Sequence, residues 1–266
     1  MEQVMPHKHR LGVLIITPVL LTAGVVTALW AQASPTAAGF KSLTLTLSVP
    51  ARSFLLLEPV PLTITLVNAT AEPVVADAAL RFADRAIGIL IQPEGSPPYR
   101  AEPLSTIAIY TRPSPRPLPP GYRQVSTEPL ILNLQKLMPV PGKYGIQAVL
   151  RNLDEEIRSN VVSIDVTQPA GLDQLAYQFL VDSGQADDFL DGSDVVSKPE
   201  LYGEYETFVR TYPGTAYADY ANLFLGRFHE TRRQIDQARR FFSNVTARRE
   251  YATQKAAEAL KRLPAP

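Results

Sequence analysis

Only three of the 266 residues are histidine, and His229 is the only one beyond position 9. Acid–base or nucleophilic chemistry that depends on imidazole therefore rests on one side chain. A serine–histidine–aspartate triad needs that ring held between a nucleophile and a carboxylate. His229 instead falls in a stretch of helical rhythm, where packing between helices is the expected role. One histidine cannot build a histidine-rich metal site. The absence of cysteine also removes disulfides, thiol nucleophiles, Cys-ligated zinc and iron–sulfur clusters. Gly-x-Ser-x-Gly, His-Glu-x-x-His and Walker-type phosphate loops are missing. The run Asp187-Asp188-Phe189-Leu190-Asp191-Gly192-Ser193-Asp194 offers oxygens suited to calcium. It lacks the every-other-residue Asp spacing and the distal Glu of an EF-hand, and reads as a solvated loop. Nothing selects a glycosidase-like carboxylate pair. The expectation is a protein with no catalytic residue, no cofactor and no metal.

The chemistry that remains is recognition by charge. Formal net charge is zero, from 26 basic and 26 acidic residues, but the distribution is uneven. Residues 170–225 hold ten acidic and two basic residues, whereas residues 226–262 hold ten basic and four acidic ones. The arginines pair up as Arg232-Arg233, Arg239-Arg240 and Arg248-Arg249. They suit neutralisation within one helical stack, an acidic partner, or anionic lipid or polymer. A nearly neutral chain argues against nucleic acid. Tyr99, Tyr110 and Tyr122 are candidate stacking platforms for a glycan or lipid. Arg112-Pro113-Ser114-Pro115-Arg116-Pro117-Leu118-Pro119-Pro120 resembles a polyproline ligand but reads as a stiff loop between strands. Asn68-Ala69-Thr70 and Asn244-Val245-Thr246 match the glycosylation sequon and read as chance occurrences.

The elements that position these residues follow from periodicity. Residues 1–33 read as a targeting segment: basic His7 to Arg10, an uncharged Leu11 to Ala31, then Ala31-Gln32-Ala33 before Ser34. Its 21 uncharged residues also suit an uncleaved signal-anchor, the one route to membrane contact. Either form places the rest of the chain outside the cytoplasm: periplasmic, cell-surface or secreted. After a linker at 34–40, residues 41–168 alternate with period two. Leu43, Leu45, Leu47 and Val49 open this region, and Pro61–Val67 repeats it. Further strands are expected at Ala86–Ile91, Ser105–Tyr110, Leu130–Leu134, Gly142–Leu150 and Val161–Val166. From 169 to 266 the rhythm becomes helical. Leu172–Val181 opens it, and Ser197-Lys198-Pro199-Glu200 reads as a capping box for the next helix.

Two resemblances rest on these patterns. Glu58–Asn68 is similar to the second strand of bacterial immunoglobulin-like domains, and Pro141–Ala148 to their penultimate strand. That likeness implies an all-β sandwich in which Tyr144 forms a tyrosine corner. Leu225-Gly226 followed by Ala238 and Phe242, with Pro213 before them, resembles the tetratricopeptide repeat. It implies that Gly226 and Ala238 let paired helices approach while the aromatics fill the space between. Asn222, His229 and Glu250 depart from that pattern. The resulting expectation is an immunoglobulin-like β-sandwich followed by an all-α tetratricopeptide-like domain. Such a protein would be a non-catalytic, exported protein-binding or scaffolding module of the cell envelope. The alternative is a carbohydrate- or lipid-binding accessory protein that uses the sandwich loops.

Overall fold

The computed structural model describes residues 39–78, 80, 87–101, 115–130, 134–152, 155–183, 186, 201–246 and 248–264. The expected leader, the Ser105–Tyr110 strand, Tyr110, the acidic run 187–194 and the Ser197 capping box lie outside them. In chain order the strands are β1 (Thr44–Ser48), β2 (Ser53–Leu55), β3 (Val60–Val67), β4 (Val74–Ala76), β5 (Ile87–Pro93), β6 (Tyr99–Ala101), β7 (Arg116–Leu118) and β8 (Arg123–Leu130). After a one-turn helix α1 (Leu134–Leu137) come β9 (Gly142–Asn152), β10 (Glu155–Arg158) and β11 (Val162–Thr167). Helices α2 (Leu172–Asp182), α3 (Leu201–Thr211), α4 (Ala216–Thr231), α5 (Ile235–Ser243) and α6 (Glu250–Arg262) complete the described chain.

Alternation makes the strands. Leu45 and Leu47 of β1 turn inward between exposed Thr44, Thr46 and Ser48, because successive side chains of an extended chain point to opposite faces. β3 adds Leu62, Ile64 and Leu66, and β9 adds Tyr144, Ile146 and Ala148. The three-stranded sheet runs β1-β3-β8, with Leu45 opposite Leu66 and Leu47 opposite Ile64. The larger sheet runs β2-β11-β9-β5-β6, with β10 also on β9. Its β2–β11 pair is parallel. A third, small sheet pairs β4 with β7. Asn160 ties the first two together: Leu47 N–H donates to its Oδ1 at 2.9 Å, and its Nδ2 donates to Leu47 O at 3.0 Å. The side-chain amide thus serves β1 as a neighbouring peptide would. Tyr144 is buried and donates its hydroxyl to Val140 O at 2.7 Å.

Several expectations change at this level. The strand expected at Leu130–Leu134 begins where β8 ends, and Leu134 opens α1 instead. β8 carries no apolar alternation, since Arg123, Val125 and Thr127 are exposed; main-chain pairing with β3 along its whole length holds it. The proline-rich run is not only a loop, because Arg116–Leu118 pairs with β4. The sequon asparagine Asn68 is fully buried, its Nδ2 donating to Glu72 O, Leu118 O and Pro119 O at 2.9, 2.9 and 3.2 Å.

The larger correction concerns fold class. An all-β sandwich followed by an all-α domain is not what forms. The protein is a mixed α/β structure, with eleven strands in three sheets among the described residues and the helices following the sheet region. Ala37–Pro266 forms one compact unit, and buried residues of sheets and helices join in a single apolar core. Helix α4 explains why. Every residue from Ala216 to Gly226 is buried, so α4 is covered on all sides rather than along one stripe. One of its neighbours is the β2–β3 turn: Tyr217 donates its hydroxyl to Leu56 O at 2.5 Å, and Tyr220 donates to Pro59 O at 3.2 Å. Local rhythm shows that a face is buried, but not what buries it.

Where α4 meets α5 the approach is close. A Cβ built on Gly226 would lie 2.4 Å from the Phe242 ring, and that ring is fully buried. Gly226→Ala should therefore cost about 1–3 kcal/mol in urea denaturation, as overpacked cores do. Gly203→Ala in α3 is the contrast, since its added methyl meets nothing within 4 Å. It should gain about 0.5–1 kcal/mol from reduced backbone freedom in the unfolded chain.

Candidate functional site

The site grows out of the turn that ends β2. Glu58 N–H donates to Leu55 O at 3.0 Å, closing a four-residue turn. Leu57 sits in it at φ 63°, a left-handed conformation that costs a side-chain-bearing residue about 1–2 kcal/mol. Burial of the Leu57 side chain in the core offsets that strain. The turn aims the Glu58 carboxyl inward, where 2% of the residue remains exposed. Leu55 N–H donates to its Oε2 at 2.8 Å, and Arg249 Nη2 lies 2.9 Å from the same oxygen. The Tyr220 hydroxyl stands 3.5 Å from Oε1.

Two forces act on this carboxyl in opposite directions. Loss of water disfavours the charged form, while Arg249 and the hydrogen bonds favour it. Burial wins, and the Glu58 pKa is pushed up to about 7. Asp219 of α4, which accepts from Thr246 N–H at 2.8 Å and Thr246 Oγ1 at 2.7 Å, is also raised by burial. So are the Tyr217 and Tyr220 hydroxyls, again chiefly by burial and then by the charge of Glu58. Asp173 of α2 completes the cluster. Its Oδ1 accepts Ala216 N–H at the start of α4 at 2.8 Å, and its Oδ2 accepts from Arg248 at 2.8 Å. A carboxylate there satisfies an otherwise unpaired helix N–H and faces the positive end of the helix dipole.

A cleft of about 560 Å³ opens over Glu58, walled by Phe54, Pro61, Tyr220 and Tyr251 and edged by Arg248 and Arg249. A second groove of about 490 Å³ runs between α3, α4 and α5, lined by Glu206, Arg210, Asn222, Arg240 and Asn244 among others. Asn222 is buried there, and its Oδ1 has no hydrogen-bond partner. Among the described residues no group of three or more His, Asp or Glu stands ready for a metal ion, and no helix is long and apolar enough to cross a membrane.

The residues singled out from sequence separate into several places. Leu225, Ala238 and Phe242 are buried with Gly226 where α4 and α5 cross. Pro213 lines the groove at the α3–α4 turn. The arginines do not form one patch. Arg249 and Arg248 turn toward Glu58 and Asp173. Arg239 donates to Pro264 O, Arg240 reaches Glu206 at 3.5 Å, and Arg232 lies over the Phe228 ring at 3.9 Å. Arg233 is exposed just past α4 at φ 60°, within the turn that lets Gln234 N–H donate to His229 O at 2.9 Å. The His229 ring stacks on Phe241; its two nitrogens meet Tyr202 at 2.9 Å and Gln234 at 2.6 Å. Tyr99 donates to Leu137 O in the larger sheet. Tyr122 donates to Gln124 at 2.5 Å beside the smaller one, so the two rings make no shared platform. Sequence reading passed over Glu58, Asp173 and Asp219. The one available signal for Glu58 was a lone charge after the apolar run Phe54–Leu57.

The described residues thus define a mixed α/β protein with a buried carboxyl under a cleft and a separate polar groove. No family model and no curated protein matches the sequence. Among solved structures, a Pseudomonas fluorescens alkylpurine DNA glycosylase bound to abasic-site-analog DNA is similar at 12% identity and a TM-score of 0.32, over 47% of this chain and 30% of that one. A Listeria innocua beta-glucosidase in complex with glucose is similar at 14% identity and a TM-score of 0.30, over 50% of this chain and 17% of that one. The Bacillus subtilis sporulation control protein Spo0M is similar at 11% identity and a TM-score of 0.29, over 53% of this chain and 55% of that one. The chain spans less than two thirds of each of these proteins, and likenesses this partial carry no argument about activity.

Glu58 makes stability depend on pH. Its folded pKa of about 7 lies above the ordinary 4.5, so the native state holds the proton more tightly than the unfolded chain. Stability from this group is full below about pH 4.5 and is lost as pH rises through 7, by on the order of 3 kcal/mol. Chemical denaturation across that range should show wild type losing stability relative to Glu58→Gln.

Proposed function

We propose that this protein is a non-catalytic, exported module that holds a protein or peptide partner in the groove between α3, α4 and α5. One observation carries the reading: the buried Asn222 amide, with an unpartnered carbonyl oxygen, lines a groove that also presents Arg210, Arg240 and Glu206. A side-chain amide offers the donor and acceptor of a peptide bond. An extended backbone is the ligand chemistry that matches both; the oxygen is closed to solvent, so a shift of the groove wall must open it before a partner's N–H can relieve the unpaired acceptor. The Arg240 side chain is 55% exposed, reaching Glu206 at 3.5 Å and lying over the Phe241 ring at 4.6 Å, so its outward donors stay open to a partner's carboxylate. Export rests on the basic, uncharged and small-residue segments of residues 1–33.

The test is a photo-crosslinking residue at exposed Asn244 on the groove rim, in the full chain expressed in its own cells. A reproducible protein adduct is expected. It should disappear in the Asn222→Leu/Arg240→Glu double variant, whose circular dichroism should match wild type. An adduct that survives the double variant, or equals that from a probe at exposed Lys143 on β9, would overturn the assignment.

A further inference from the structure

We infer that the cleft over Glu58 binds a small organic anion, a carboxylate carried on an apolar body, and takes up a proton with it. This goes beyond the partner-binding groove and concerns a different face. The volume of about 560 Å³ lies within the roughly 300–1,000 Å³ usual for small-molecule sites. Apolar walls from Pro50, Ala51, Phe54, Pro61, Tyr251 and Ala257 suit a hydrocarbon body.

The polar end is built around Arg249. A guanidinium pairs best with a carboxylate through two parallel N–H donors. Here Nη2 is given to Glu58 Oε2 at 2.9 Å, while Nε is buried and has no partner. The pair is therefore single-point, with the two-donor edge half used. The side chains differ in access: 22% of Arg249 is exposed against 1% of Glu58. A ligand carboxylate entering the cleft meets the exposed part of the arginine first; Nε is closed to solvent, so engaging it together with Nη2 requires the guanidinium to turn outward from Glu58.

Glu58 then loses its counter-ion while a second carboxylate arrives beside it. Two anions at that distance in a dry site cannot both persist, so one takes a proton. Glu58 is the one suited to it, being deeper and already weakened as an acid by burial. As a neutral acid it keeps the Leu55 N–H bond and gains an O–H to donate. The other charged and titratable groups facing it are Asp173 of α2, Tyr217 and Tyr220 of α4, Arg248 between α5 and α6, and Glu250 at the start of α6. Arg248 is occupied by Asp173 and Gly214 O, which leaves Arg249 as the anchor.

Isothermal titration of the full chain with octanoate, using octan-1-ol as the uncharged control, tests this. Octanoate should bind at about pH 6, where Glu58 already holds its proton, and at about pH 8 it should bind with net proton uptake, read from buffers of different ionisation enthalpy, weakening about tenfold per unit once pH exceeds the Glu58 pKa. Octan-1-ol should bind at least about tenfold more weakly, because it cannot use the arginine. Glu58→Gln should bind octanoate without the pH dependence. Arg249→Met should abolish binding, and Arg249→Lys, which keeps the charge but not the two-donor edge, should weaken it with an unchanged thermal melt. No binding at about pH 6, equal binding of the alcohol, or an unchanged pH profile in Glu58→Gln would each overturn the inference. Octanoate binding is read through Glu58 and Arg249 and the adduct through Asn222 and Arg240, so failure of this inference and failure of the partner-binding reading are distinguishable.

Discussion

A carboxyl group held out of water at the seam between sheet and helices is the constraint on which the rest of this structure turns. Withdrawing an ion from solvent costs several kcal/mol even after the protein relaxes around it. One arginine at 2.9 Å offsets only part of that cost. The fold supplies the remainder by geometry. The Leu55–Glu58 turn points a backbone N–H at the carboxyl, and α4 brings two tyrosine hydroxyls to the carbonyls of Leu56 and Pro59. The same contacts seat the helices on the sheet. What satisfies Glu58 and its turn also makes one unit of two regions that differ in rhythm.

That coupling explains which parts of the molecule were legible in the sequence. β1, β3, β5, β9 and β11 lie where alternation places strands, because each has enough residues to show a repeating inward face. β2, β6, β7 and β10 span three or four residues and complete no such repeat. β8 is long enough, but its outward residues are a mixture of arginine, valine and threonine and it is held by backbone pairing. The fold class was misread for a related reason. α4 looks amphipathic when its aromatics are counted, yet Ala216, Ala218 and Ala221 are buried as well, and small residues give no signal of what lies against them. The arginine pairs were legible as charge, but their partners were not: Arg248 finds Asp173 from 75 residues away.

The same pairing redraws the charge map of the helical region. Acidic residues before Gly226 and basic residues after it look like two opposed surfaces in one dimension. In the fold, contacts such as Arg248 with Asp173 and Arg240 with Glu206 cross that division and neutralise it locally. Arg249 goes further and leaves the helical region altogether for the β2–β3 turn. The positive potential is therefore dispersed rather than gathered into a continuous stripe. That disfavours long polyanions and favours ligands that read one or two guanidinium groups at close range.

Asn68 shows how a surface-type motif can be absorbed by the interior. Its amide nitrogen has two hydrogens and serves three carbonyls, while its oxygen accepts from Thr70 N–H and Thr70 Oγ1 at 3.0 and 2.7 Å. A sugar attached to that nitrogen would remove a donor and force bulk into a sealed turn. Passage through a secretory route that decorates nascent chains would therefore trap the polypeptide before β4 and β7 could close around the asparagine. Production in a eukaryotic secretory host calls for removing the acceptor by changing Thr70, at the loss of its hydroxyl's contacts with Asn68 Oδ1, Glu72 O and Glu72 N–H, rather than Asn68 itself.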